Sequence, residues 1–264
     1  MKRSMSVAGM FYPDSCGEIA HFIEEWNRIL DAAGVQLGGD GKKPRAAIVP
    51  HAGYIYSGFT ANVAYCALAK RDFSTLVVIG PSHRVGFSGV SVGLFESYLT
   101  PCGEIQGNKE LAEDLINNGF GRFLPQAHQE HSTEVQFPFI RYYFPDALLV
   151  ECVYSDADPA LLERLVSYLL QDRENGVIIS TDLSHYYPLK KAETLDYHCL
   201  EAIADLDETK LDAGCEACGA LGLRGVIRAG RAMGLKPQLL DYRTSADASG
   251  DRSHVVGYMS GLLI

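Results

Sequence analysis

Short runs rich in Val and Ile alternate with amphipathic stretches along the whole of this chain. Runs of that length, closed by Gly, Pro or Ser, read as buried strands. They predict strands over residues 45–50, 75–80, 88–95, 147–153, 176–181, 237–242 and 254–262. The stretches between them predict helices over 15–33, 58–70, 108–118, 132–143, 159–171, 188–204 and 217–233. After Asp158, for example, Pro159 takes the first helical position and Leu161, Leu162, Leu165, Val166 and Leu169 form one stripe. This β-then-α rhythm predicts an α/β fold whose mostly parallel sheet is flanked by helices on both faces. Gly38-Gly39-Asp40-Gly41-Lys42-Lys43 is the one linker candidate, too short and too early to separate a pair of domains, so residues 1–264 read as a single domain.

Three of the predicted strands stop in the same way. Ile48-Val49-Pro50 leads to His51, Val78-Ile79-Gly80-Pro81-Ser82 leads to His83, and Ser180-Thr181-Asp182-Leu183-Ser184 leads to His185. In open α/β sheets the crevice beyond the carboxyl ends of the strands is where ligands bind. Three histidines delivered to that edge point to a site, and neutral imidazole is the commonest protein ligand for zinc, copper and iron. The plainer alternative is that each ring caps its own strand by bonding a loop carbonyl.

Other residues add to the candidate chemistry. Cys218 opens a segment with helical spacing, and a thiol at a helix N-terminus is expected to have a lowered pKa and favour thiolate. Cys215-x-x-Cys218 offers a redox pair or half of a zinc site as alternatives, but the second pair a zinc knuckle needs is missing and a thioredoxin-like CxxC would follow the first strand, so by itself the thiol reads as a plain buried cysteine. Asp182 beside His185 can orient a base or hold a metal ligand, or else Asp182 or Ser184 caps the next helix. Thr133-x-x-Gln136 reads as a capping box, which puts His131 in the loop before a helix, there to bind an anionic ligand or to stand solvated with Glu130 and Glu134. His21, His128, His198 and His254 lack the strand-end setting, and Tyr54 and Tyr56 read as packing or pocket lining.

Composition narrows the partners. The net charge of -10, with no cluster of Lys and Arg, argues against nucleic acid and anionic membranes. No apolar run approaches the length of a membrane helix, and the start lacks the clean apolar core of a signal peptide. Seven scattered cysteines, an odd number, suit a reducing compartment better than a disulfide framework, so the cytoplasm is expected.

Ala8-Gly9-Met10-Phe11-Tyr12-Pro13, Pro50-His51-Ala52-Gly53-Tyr54, Gly80-Pro81-Ser82-His83, Glu130-His131-Ser132, Ser180-Thr181-Asp182-Leu183-Ser184-His185 and Cys218-Gly219 follow one another in this order. Together they resemble the Memo family, whose prokaryotic members are called AmmeMemoRadiSam system protein B, over essentially the whole chain. The resemblance implies a fold like that of the class III extradiol dioxygenases of the LigB type, which are non-haem iron enzymes. It places metal ligands at His51, His83 and Cys218, and further pocket residues at His131, Asp182 and His185. In those dioxygenases a carboxylate stands where this chain has the cysteine. A thiolate suits iron or copper, admits zinc, and is itself oxidisable. The resemblance thus implies a mononuclear iron or copper site with oxidoreductase or dioxygenase-like chemistry. In it His185 is the acid or base, Asp182 orients, and His131 binds substrate, an unknown small molecule or peptide. The alternative is a non-catalytic metal carrier or peptide-binding adaptor. AMMECR1-like and radical-SAM proteins are the partners that the resemblance suggests.

Overall fold

The computed structural model describes residues 1–34 and 43–264, so the linker candidate lies outside the described residues except for Lys43. The first half of the chain runs β1 (Lys2–Arg3), α1 (Cys16–Ala32), β2 (Ala46–Val49), α2 (Tyr54–Leu68), β3 (Thr75–Pro81), β4 (Val90–Val92), β5 (Ser97–Thr100) and β6 (Gly103–Gln106). It continues with α3 (Lys109–Asn117), α4 (His131–Glu134), α5 (Phe137–Tyr143), β7 (Leu148–Tyr154), α6 (Pro159–Gln171), β8 (Asn175–Ser180) and β9 (His185–Tyr187). The last elements are α7 (Leu189–Asp205), α8 (Ala220–Ala232), β10 (Pro237–Thr244), α9 (Ala246–Ser249) and β11 (Val255–Leu263). Each strand expected from the sequence is present. The short β1, β5, β6 and β9 are additional, because two to four residues leave no period to read.

The main sheet runs β10-β11-β2-β8-β3-β7-β4, and β9 joins it through β11. Its centre, β2-β8-β3-β7, is parallel, and its margins are antiparallel: β11 against β2 and β10, and β4 against β7. The sheet is therefore mixed. Parallel strands buried on both faces need apolar residues at every position. Alternate residues duly enter two separate cores. Ala46, Ile48, Val77, Ile79, Val177 and Ile179 pack with α6, α7 and α8, whereas Ala47, Val49, Leu76, Val78 and Ile178 pack with α1, α2 and α5. A second sheet of β1, β5 and β6 holds the first residues of the chain against the body.

Two expectations change. The helix expected over 132–143 is two helices, broken at Val135-Gln136, with Pro138 in the first turn of the second one. The cysteines do not all stand apart: Cys16–Cys102 and Cys199–Cys215 are disulfides, and Cys66, Cys152 and Cys218 are free. Pairing across 86 residues depends on where tertiary packing puts the two segments, which spacing cannot report. Because Cys215 is bonded to Cys199, the CxxC is not a redox pair, and Cys218 keeps its thiol. Among the described residues no helix is long and apolar enough to cross a membrane.

Candidate metal centre

Pairing of the central strands sets the site. Val49 of β2 lies level with Ser180 of β8, and Ile179 of β8 is level with Ile79 of β3. Three neighbouring strands therefore end together and release His51, Asp182 and His83 over one edge. α4 packs across the end of β3 and adds His131. The result is that His51, His83 and His131 each offer a donor atom within 4.8 Å of the others. Their ring centroids lie 5.3, 5.4 and 4.5 Å apart, and the set grades from buried His51 through half-buried His131 to exposed His83.

Hydrogen bonds decide which nitrogen of each ring is free. Ser180 donates its hydroxyl to the Ser132 carbonyl, so its oxygen is left to accept. It accepts from the Gln136 amide at 3.1 Å and from His51 Nδ1 at 2.9 Å. Gln136 also donates to the Pro50 carbonyl and accepts from the Tyr65 hydroxyl, which settles its orientation. His51 therefore carries its proton on Nδ1 and presents a lone pair on Nε2. Burial, and then the neighbouring His83 and His131, push its pKa well below the ordinary value, so the ring is neutral.

Glu130 does the same for the other two rings. Its Oε1 receives His131 Nδ1 at 2.8 Å and His83 Nδ1 at 3.1 Å, and its Oε2 receives the His83 backbone N–H at 2.6 Å. Burial alone would raise this carboxyl, but the hydrogen bonds from His131 and His83 outweigh it and hold the group well below the usual carboxylate range. A carboxylate behind a ligating imidazole is a recurrent arrangement at metal sites, since it orients the ring and raises its basicity. Here a single carboxylate serves two rings.

Cys218 comes to the same place from the loop before α8. Its Sγ lies 3.3 Å from His51 Nε2 and accepts the Asp182 N–H at 3.3 Å. A sulfur about 2.3 Å and a nitrogen about 2.1 Å from one ion are separated by roughly that distance. The expected lowering of the thiol pKa does not occur, because α8 starts only at Ala220. Burial, and then the Asp182 carboxylate, push the thiol up to about 12. Asp182 Oδ1 accepts the His51 backbone N–H at 2.7 Å, and Oδ2 stands 4.0 Å from His51 Nε2. Burial raises its carboxyl pKa above the ordinary value. Neither Asp182 nor Ser184 caps a helix: β9 intervenes, and α7 starts after Pro188.

His131 is the first residue of α4, not a loop residue before it, and Glu130 is the cap, its carboxylate accepting the Ser132 N–H. No capping box forms, because Thr133 donates to Glu151 and the Gln136 amide faces Pro50 and Ser180. Glu130 and Glu134 are buried, not solvated. His185 opens β9 against Val256, half-buried and outside the group of three, yet close enough to bear electrostatically on His51 and Asp182. Tyr54 packs in the core, whereas Tyr56 is exposed. Sequence reasoning missed Glu130 as a holder of rings. The available signal was an acidic residue in cap position directly before a histidine.

The motif glycines have steric reasons. A Cβ at Gly80 would stand 2.7 Å from Ser132 Oγ and 3.0 Å from Thr133 Cγ2, and one at Gly219 would stand 2.5 Å from Thr181 Oγ1. Only glycine lets α4 and the Cys218 loop approach the strand ends this closely. Gly80→Ala is expected to destabilise the chain by about 1–3 kcal/mol, as overpacking does. It should also weaken metal binding by displacing His131. Urea midpoints and a metal titration on the same variant would check both effects, and an unchanged midpoint would count against the packing argument.

A family model described as Memo-like protein matches residues 3–262. The chain is 36% identical over 283 residues to a MEMO1 family protein of Methanobrevibacter smithii, covering 99% of both chains. It is 33% identical over 277 residues to a MEMO1 family protein of Metallosphaera sedula, covering 98% of both. Among solved structures, an uncharacterized protein from Escherichia coli K12 superposes with a TM-score of 0.55 at 14% identity, over 84% of this chain and 100% of that one. That last likeness concerns the fold alone.

Proposed function

This chain belongs to the Memo family, and from that premise we propose that it is a mononuclear metal protein holding iron or copper for oxidoreductase chemistry. In this reading His51, His83 and Cys218 bind the ion, and His131 joins them as a fourth ligand in place of the substrate-binding role expected of it. The observation that carries it is the proton arrangement: Ser180 and Glu130 engage all three Nδ1 atoms, which leaves three Nε2 lone pairs for one shared partner. Two imidazole nitrogens on one tetrahedral ion lie about 3.4 Å apart, so donor atoms that stand within 4.8 Å of one another would draw together by about 1 Å as the ion binds. The donor set fits a borderline-soft cation, iron, copper or zinc, better than magnesium or calcium, which favour oxygen. A redox metal, when bound, would supply electron transfer to dioxygen or substrate.

The remaining residues have roles in orientation and proton handling. Glu130 and Ser180 hold the rings. Asp182 fixes the His51 backbone and shares the Cys218 sulfur through its own N–H. His185, which bears electrostatically on His51 and Asp182, is the proton carrier. His83, the exposed ring, marks the side from which a substrate enters.

A second reading, a metal carrier or peptide-binding adaptor, draws on a different feature. A cleft of about 200 Å³ is lined by Met10, Phe11, Tyr54, Ile55 and Tyr56, and the Phe11 ring lies 4.6 Å from that of His131. Met10 and Ile55 are 69% and 64% exposed, an apolar rim of the kind that receives a partner. The cytoplasm is kept as the proposed compartment, although two disulfides argue the other way. A thiol count on freshly lysed cells would decide.

Anaerobic loading with Fe(II), Cu(I) and Zn(II), with metal content and O₂ uptake measured together, would test the proposal. One equivalent of iron or copper with uptake supports redox chemistry, and binding without uptake supports the carrier. Cys218→Ser should weaken Cu(I) binding more than Zn(II) binding, because the thiolate is the soft donor. Equal affinity in that variant would remove Cys218 from the ligand set.

A further inference from the structure

We infer that Arg3, far from the site in sequence, is a positioning residue for the metal centre, acting through α4. The inference rests on the reading of the imidazole cluster as a metal site. Arg3 is only 4% exposed, and its two partners, Glu134 and Glu151, are 0% exposed. Its Nη1 donates to Glu134 Oε2 at 2.7 Å, its Nε lies 3.4 Å from Glu151 Oε2, and its Nη2 donates to the Glu130 carbonyl at 3.3 Å. His128 Nδ1 and the Thr133 hydroxyl complete the shell of Glu151, at 2.7 and 2.5 Å. Thr133 also reaches the Glu130 carbonyl, at 3.4 Å.

α4 is one turn long, and a single turn cannot hold itself in place. Its position has to come from outside. Arg3 grips both of its ends, Glu130 at the cap and Glu134 at the last residue, and ties them to Glu151 on β7. Glu134 further accepts the backbone N–H groups of Ser6 and Val7 and the Tyr12 hydroxyl, so the first residues of the chain are drawn onto the same turn. Phe11 follows, its ring 4.6 Å from that of His131. Glu130 holds both His83 and His131 on one oxygen. A small displacement of its backbone therefore moves two donors together, whereas loss of a ring's own contact would move only one.

The experiment replaces Arg3 with Lys in the full chain. The ammonium keeps the buried carboxylates paired but cannot reach three partners at once. Co(II) is the probe, its affinity and visible bands read beside far-UV dichroism and thermal unfolding. With the fold intact, Arg3→Lys is expected to bind Co(II) about 10- to 100-fold more weakly, the scale for outer-shell changes, and with shifted bands. A lower unfolding temperature with wild-type affinity and bands would assign Arg3 to stability alone and overturn the inference. If Arg3→Lys does not fold, Thr133→Val removes the other grip on the Glu130 carbonyl and one hydrogen bond to the Glu151 carboxylate while leaving Arg3 in place, and the same two outcomes apply. Failure of both variants to fold would also assign the network to folding and overturn the inference. A wild-type chain that binds no Co(II) would sink the metal reading itself, a result distinct from all of these.

Discussion

Replacing His83 with Ala is expected to weaken binding of Fe(II) or Zn(II) by about 10²-fold. Four protein ligands to a zinc-sized ion together supply about 10–16 kcal/mol, so one is worth roughly 3 kcal/mol, and each 1.4 kcal/mol is tenfold. His83 is the cleanest ring to remove. It is exposed, so its loss leaves no large cavity. Its removal also frees only one of the three bonds on Glu130 Oε1, while His131 and the Ser132 N–H keep the others at 2.8 and 3.2 Å. His185→Ala is the matching control. It lies outside the group of three and is expected to retain the metal while losing roughly 10²–10⁴-fold in any turnover, as removal of a general acid or base does. Competition against a chromophoric chelator would measure both variants. Full affinity in the His83 variant, or loss of metal in the His185 variant, would redraw the site.

The second large effect concerns stability. Arg3→Met leaves the Glu134 and Glu151 carboxylates buried without their cation. Breaking a buried pair from one side costs about 3–5 kcal/mol. That is a large share of the ordinary total of about 5–15 kcal/mol. For a chain of this size it lowers the unfolding temperature by on the order of 10 °C. Neutralising the acids as well, in Arg3→Met with Glu134→Gln and Glu151→Gln, should recover some of the loss, because no uncompensated charge is left.

The pH dependence of the wild type and the Arg3→Met variant should differ in sign. In the wild type, burial alone would raise Glu151, but Arg3 and then His128 outweigh it and hold the carboxyl below its ordinary value. A carboxyl lowered in the folded state contributes stability that is full above its unfolded pKa and lost as pH falls through the folded one. The wild type should therefore stay level from neutral pH down to the ordinary glutamate range and weaken below it. Without Arg3, burial dominates and raises the carboxyl, so the variant should weaken as pH rises. Denaturant midpoints between acid and neutral pH would show the reversal, and parallel curves would refute it.

Much of the architecture was legible along the chain. Apolar runs at every position, such as Leu76 through Ile79, need two buried faces, and the punctuation after them marked where the strands end. That alone put His51, His83 and Asp182 at one edge, since parallel neighbours must end on the same side. Local chemistry also set the limits of several helices: Asp158 caps α6, with its carboxylate on the Ala160 N–H, ahead of Pro159.

What the chain did not disclose are relations between distant residues. Glu130 meets His83 across 47 positions, and Arg3 meets Glu134 across 131. An isolated acidic residue in a polar stretch reads as solvated until packing buries it and supplies donors. The same holds for His128, which lacks a strand-end setting yet lies buried against Glu151. Cysteine pairing and the raised thiol of Cys218 likewise depend on which surfaces meet. Sequence by itself determined the periodicities, the strand ends and hence the edge where chemistry gathers, because these follow from local stereochemistry and burial of alternate faces. Only the tertiary structure decided which ring nitrogen faces the site, which acid holds it and which thiol stays free, because hydrogen bonds and disulfides form only where packing brings distant groups within a few ångströms.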